Sequence, residues 1–154
     1  MLAGIGVAVW LAFRTRGEEV GRLAVPGTLD VAVAAGDELR FTADSDVLFA
    51  GGRNSKPKGC QLQVKLALGA RELATASCDL YGADGAASVA GSSTASTDSA
   101  TGLRRLQTGG QRLRCGARVT EPGKIRLTTS SNLATCVSRS IATELHVFRE
   151  RASE

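Results

Sequence analysis

The stretch "QLQVKLAL", residues 61–68, decides the fold class, because large apolar side chains occupy every second position in it. Leu62, Val64, Leu66 and Leu68 would share one face of an extended strand, and Gln61 begins the polar face. A period of two is that of a β-strand with one buried side. Gly69 follows at once, so a strand, a turn and a second strand are expected up to Cys78.

The same alternation recurs on both sides of this stretch, in "TLDVAV" (28–33), "RLRCGARV" (112–119) and "IATELHVFRE" (141–150). We count about eight or nine short strands and no strong helical period between them. Half-buried strands disfavour a parallel α/β sheet, whose strands are apolar throughout. The sequence therefore predicts an all-β protein: an antiparallel β-sandwich of jelly-roll or immunoglobulin-like type, preceded by a short apolar N-terminal helix.

Two further hairpins are predicted from turn residues. "AAGDE" (34–38) would join the strand at 28–33 to the one beginning near Leu39, and "EPGK" (121–124) would join the strand at 112–119 to the one around Ile125.

The chain of 154 residues fits one domain with short appendages. We assign residues 1–19 to an anchor-like or signal-like segment and linker, residues 20–150 to the sandwich, and residues 151–154 to a tail. The Gly-, Ser- and Ala-rich stretch 82–102 has almost nothing to bury, and we expect a flexible loop there.

The first segment is apolar from Met1 to Phe13 and stops at Arg14 and Arg16. As a helix, its apolar part would be about 20 Å long, against a hydrocarbon core of about 30 Å. Three interpretations stay open: part of a membrane anchor that begins upstream of Met1, a secretion signal, or a buried element of the domain.

The four cysteines are Cys60, Cys78, Cys115 and Cys136. No C-x-x-C spacing occurs, and a chain with one histidine does not fit a zinc finger. The even number predicts two disulfides and an oxidising compartment, either a periplasm or the cell exterior. Unpaired core thiols and a zinc site from scattered thiolates are the alternatives. A turn at Gly69 favours Cys60–Cys78 with Cys115–Cys136, while other connectivities stay open.

Candidate catalytic groups are scarce. His146, the single histidine, falls on the polar side of the last strand and is expected to be a surface residue without a role. Ser55 and Lys58 have S-x-x-K spacing, but Pro57 between them disfavours the helix that this motif needs. The acid pairs Asp44/Asp46 and Asp79/Asp84 are interpreted as solvated turn residues, with structural calcium as the alternative. We predict no enzyme, no cofactor and no metal site.

The basic residues point to a function, the binding of an anionic partner, more clearly than the candidate catalytic groups do. The net charge is +4, and a hairpin built around residues 121–124 would bring five cations to one outer face. Such a face could meet an anionic partner. Nucleic acid is not expected, because aromatic residues make up only 4% of the chain and none is interleaved for stacking. The five residues are Arg112, Arg114, Arg118, Lys124 and Arg126. A smaller loop cluster comprises Arg53, Lys56 and Lys58.

The outline resembles extracytoplasmic β-sandwich modules of bacterial envelope proteins, a likeness of architecture that implies no activity. The function expected is a non-catalytic interaction or assembly module, membrane-tethered or secreted, whose partner is a protein or an anionic envelope component. The alternative is a glycan-binding module that uses Tyr81, the only tyrosine, as an aromatic platform; Trp10 lies in the apolar segment. A hydrolytic enzyme is the third hypothesis.

Overall fold

Two antiparallel β-sheets packed face to face form the computed structural model, which describes residues 17–51, 57–81 and 92–151. Nine strands and one short helix lie in these ranges. In chain order they are β1 (Glu18–Ala24), β2 (Gly27–Val33), β3 (Glu38–Phe49), β4 (Gln61–Leu68), β5 (Arg71–Asp79), β6 (Ser92–Thr97), β7 (Arg104–Arg118), β8 (Gly123–Ser131), α1 (Leu133–Cys136) and β9 (Arg139–Glu150). The N-terminal helix predicted from the sequence falls outside these residues.

Sheet A has the strand order β1-β9-β3-β7-β6, and sheet B has the order β2-β8-β4-β5. Without β6, this is the order of a jelly roll, in which the chain crosses between the sheets at nearly every connection. The predicted antiparallel sandwich is therefore confirmed, and of its two suggested forms the jelly roll is the one observed.

The core lies between the two sheets and is made mostly of aliphatic side chains. Leu62, Val64 and Leu66 of β4 are 0–2% exposed, while the intervening Gln61, Gln63 and Lys65 face solvent. The alternation seen in the sequence is thus the alternation of core and solvent. The predicted β4–β5 hairpin also forms, with Leu68 opposite Arg71.

The hairpin predicted at residues 34–38 is wrong. β2 pairs with β8 in sheet B, whereas β3 pairs with β7 and β9 in sheet A. The turn contains the buried Asp37, whose carboxylate accepts the Ala34 N–H at 2.9 Å. The Asp37 carbonyl accepts the Val119 N–H at 2.8 Å. The first bond closes the turn, and the second holds it against the end of β7, where the chain crosses to the other sheet.

The hairpin predicted at residues 121–124 is also wrong, because the strands on either side of it lie in different sheets. β7 pairs with β3 and β6, and β8 pairs with β2 and β4. The "EPGK" turn therefore carries the chain from sheet A to sheet B. Turn residues indicate that the chain reverses, but they do not specify which sheet the next strand joins.

Part of the stretch 82–102 is a strand and not a loop. Residues Ser92–Thr97 form β6 and pair with Arg104–Gly109 of β7, and a turn at Asp98–Gly102 connects the two strands. A small polar segment can do this at a sheet edge, because backbone hydrogen bonds hold it and its side chains need not be buried. Residues 82–91 lie outside the described ranges.

The disulfides are Cys60–Cys136 and Cys78–Cys115, so the favoured pairing of neighbours in sequence is wrong. Cys78 stands opposite Leu62 and not opposite Cys60. Cys60, just before β4, is bonded to Cys136 in α1. Cys78 in β5 of sheet B is bonded to Cys115 in β7 of sheet A. The predicted number of bonds is confirmed, and two disulfides indicate an oxidising, extracytoplasmic environment. Within the described residues, no helix has the length and apolar character needed to cross a membrane.

Candidate functional site

The outer face of sheet A, which is turned away from sheet B, carries three of the predicted basic residues. Arg112, Arg114 and Arg118 alternate along β7 and are exposed, while Leu113 lies between two of them and is buried. Arg112 is opposite Thr42 and Arg118 is opposite Glu38 on β3. These arginines share one face because they stand at even spacings along one strand.

A shallow depression lies beside this row, where β7 carries two extra residues between its pairings with Thr42 and Arg40. Gly116 is opposite Arg40, and a Cβ at position 116 would lie 3.0 Å from the Leu39 carbonyl oxygen. The depression measures about 400 Å³ and is lined by residues of β3 and β7, four of which are charged. We call it the Gly116 depression; its charged residues are Glu38, Arg40, Arg114 and Arg118.

Cations outnumber anions around the Gly116 depression. Glu38 accepts hydrogen bonds from both Arg40 and Arg118, at 3.2 and 3.3 Å, and Arg40 also contacts Glu150 at 3.0 Å. The side chains of Arg40 and Arg118 remain 65% and 71% exposed. Ion pairs so accessible to water contribute little to stability. These guanidinium groups can therefore turn to an incoming anion at small cost.

The other two predicted basic residues lie on the opposite side of the molecule. Lys124 and Arg126 are exposed on β8 of sheet B and alternate with the buried Ile125 and Leu127. Arg126 is opposite Asp30 and contacts its carboxylate at 3.2 Å. The structure therefore does not bring the five residues onto one face, because β7 and β8 belong to different sheets.

Asp44 and Asp46 were predicted to be turn residues, but both lie within β3, so that prediction is wrong. Arg105 binds Asp46 through two hydrogen bonds of 2.7 and 3.0 Å and holds the pKa of that carboxyl below its usual value. Ser45 between them faces the interior, where it hydrogen-bonds Tyr81 at 2.9 Å and Thr108 at 2.7 Å.

Tyr81, which was predicted to serve as an aromatic platform for a glycan, is only 2% exposed. Burial raises the pKa of Tyr81, and its hydroxyl is engaged by Ser45. Tyr81 therefore cannot serve as an exposed stacking platform. Trp10, Arg53, Ser55 and Lys56 fall outside the described ranges, and so does Asp84.

A second cluster on the outer face of sheet A surrounds His146 of β9. Its Nδ1 lies 2.9 Å from Glu19 Oε1, and its Nε2 lies 2.7 Å from Asp44 Oδ2 and 3.3 Å from Glu144 Oε1. We call these four residues the His146 cluster. Only 13% of the imidazole side chain is exposed. The predicted surface histidine is thus on the expected face, but it is held by carboxylates from three strands.

Backbone geometry fixes one of these carboxylates. Asp44 Oδ1 accepts the Gly110 N–H at 2.7 Å, while Oδ2 faces the imidazole. Gly110 has a φ of +65° and lies where the β3–β7 register shifts, so the strand bulges and its N–H is redirected. The sequence signal available was the pair Gly109–Gly110 inside a strand, which indicates a bulge.

The electrostatics of the His146 cluster favour a charged imidazole. Burial alone lowers the pKa of His146, but hydrogen bonds to Glu19 and Asp44 outweigh it, and the pKa lies above its ordinary value. Both ring nitrogens face carboxylates, so neither is turned towards a hydroxyl that it could activate. No family model, curated protein or solved structure matches the chain.

Proposed function

We propose that the protein is a non-catalytic interaction module that binds an anionic component of the cell envelope through the Gly116 depression and the adjacent Arg112. The observation that carries the proposal is the excess of guanidinium groups at this place. Arg40, Arg114 and Arg118 line the depression together with Glu38, and Arg112 continues the row.

The chemistry of the site suits oxyanions. A guanidinium presents several N–H donors in one plane and pairs well with carboxylate, sulfate or phosphate. Alternate residues on a strand are about 6.7 Å apart. Arg112 and Arg114 could therefore contact successive anionic groups of an extended polymer or of a lipid surface.

The compartment supports this proposal. Cys60–Cys136 and Cys78–Cys115 are both formed, as expected for a protein outside the cytosol. We further propose that the apolar segment from Met1 to Phe13 tethers or directs the module to the envelope. The sandwich, whose first strand begins at Glu18, would then be held close to the membrane surface.

The test compares two double charge reversals that are matched in charge. R112E/R114E changes the outer face of sheet A, and K124E/R126E changes the outer face of sheet B by the same amount. Binding is measured on a sulfated polysaccharide, heparin, and on vesicles containing phosphatidylglycerol, which separates a glycan source of the anion from a lipid source.

We expect R112E/R114E to weaken binding to one of the two probes by about tenfold or more, because a hydrogen bond to a charged group contributes about 1.5–3 kcal/mol. K124E/R126E should change it by less than about threefold, and binding should fall as salt rises. Equal losses in the two variants would indicate a non-specific charge effect and contradict the proposal. So would the absence of binding to both probes by the wild-type chain.

A further inference from the structure

In the His146 cluster, Arg22 also donates to Glu19 at 2.7 Å, but the carboxylates of Asp44 and Glu144 both approach the same ring nitrogen. The imidazole Nδ1 faces Glu19, which leaves the single Nε2 for Asp44 Oδ2 at 2.7 Å and Glu144 Oε1 at 3.3 Å. One N–H can be donated well along one direction only. Two carboxylates therefore converge on a nitrogen that can serve one of them.

A divalent cation could bind this nitrogen and both carboxylates at once, which a single proton on the nitrogen cannot do. One nitrogen and two oxygen ligands, each from a different side chain, lie within 4.8 Å of one another. Mixed imidazole and carboxylate ligands are typical of zinc and similar transition metals, whereas calcium is bound by oxygen ligands. We propose that Asp44, Glu144 and His146 form a binding site for a zinc-like divalent cation on the outer face of sheet A.

The surroundings are those of a metal-binding histidine. An imidazole that binds a metal through one nitrogen usually donates its other N–H to a carboxylate, which fixes the tautomer and the ring orientation. Glu19 occupies that position at Nδ1. The second oxygen of Asp44 is held by the Gly110 N–H at 2.7 Å, so one oxygen is left to face the cation.

The change needed to admit the cation is small. Two ligand atoms of a tetrahedral zinc lie about 3.3 Å apart, so Asp44 Oδ2 and His146 Nε2 would have to separate by roughly 0.6 Å. The Asp44 and Glu144 side chains are 43% and 48% exposed, which gives them room to adjust. All four cysteines are paired, so no thiolate competes for the metal.

The single histidine of the chain allows a direct test. Zinc is titrated into the untagged, disulfide-bonded full chain, and the two ring nitrogens of His146 are followed by NMR, where their signals have no overlap from another histidine. We expect one equivalent of zinc to shift Nε2 into the range of a metal-bound nitrogen while Nδ1 stays protonated. Calcium at the same concentration should leave both nitrogens unchanged.

Variants locate the site. E144Q should weaken zinc binding at least tenfold in competition with a coloured chelator, and H146Q should weaken it further. E72Q makes the same chemical change on sheet B and should bind like the wild-type chain. Equal zinc affinities in E144Q and the wild type would overturn the proposal, and so would equal weakening by E72Q or unchanged ring signals at saturating zinc. This inference does not depend on the proposed function.

Discussion

Cys78 is disulfide-bonded to Cys115, which joins β5 at the edge of sheet B to β7 of sheet A. The bond lies next to the row of arginines, because Cys115 directly follows Arg114 on β7. It therefore ties the strand that carries the proposed binding surface to the opposite layer of the sandwich.

Removing this bond should cost considerable stability. The two cysteines are 37 residues apart in sequence, and closing a loop of that size constrains the unfolded chain by roughly 4 kcal/mol. We expect C78A/C115A to lower the free energy of unfolding by about that amount in urea titrations. A loss of under about 1 kcal/mol would contradict this prediction.

The turn that carries the chain from β2 to β3 should depend on Asp37. Its buried carboxylate accepts the Ala34 N–H, and D37A would leave that donor without this partner. We expect D37A to destabilise the fold by about 1–3 kcal/mol. Asp98 makes the same kind of contact with Thr101 in an exposed turn, and D98A should cost less than about 1 kcal/mol. Equal losses in urea titrations would contradict the role given to burial.

The Asp46–Arg105 pair should make stability depend on pH in the acid range. Hydrogen bonding to Arg105 lowers the pKa of Asp46 in the folded state. This contribution is therefore complete above the pKa of the unfolded chain, near 3.9, and is lost as the pH falls through the lower folded value. D46N should cost about 1 kcal/mol at pH 7, the upper end for an accessible ion pair, and progressively less below about pH 4.

The matched control for this pair is D30N. Asp30 contacts Arg126 through one bond of 3.2 Å, and both side chains are more exposed than those of Asp46 and Arg105. We expect a change below about 0.5 kcal/mol at any pH. A D46N effect that stayed constant from pH 7 to pH 2 would show that the ion pair is not its cause.

The sequence predicted the local features of the fold well. Alternation in residues 61–68 identified which side chains are buried, and Gly69 identified the β4–β5 hairpin. The sequence alone could not assign strands to sheets. A turn such as "AAGDE" looks the same whether the next strand pairs beside it or crosses to the other layer. The backbone bond that Asp37 accepts comes from Val119, which is 82 positions further along.

The positions of the candidate residues were predicted only in part, because the sequence does not specify which sheet each strand joins. Arg112, Arg114 and Arg118 were correctly placed on one face because they belong to one strand, while Lys124 and Arg126 were not, since their strand lies in the other sheet. The outward position of His146 followed from alternation. Its contacts with Glu19 and Asp44 join residues 127 and 102 positions apart, a separation at which periodicity carries no information.

Two disulfides hold the sandwich together, as expected for a protein outside the cytosol, and a peptide map under non-reducing conditions tests both bonds directly. Trypsin can separate all four cysteines, since Lys65, Arg104 and Arg118 each lie between successive cysteines. In protein purified from its native host, we predict linked peptides that contain Cys60 with Cys136 and Cys78 with Cys115. Four reduced thiols, or links between Cys60 and Cys78 and between Cys115 and Cys136, would contradict the account.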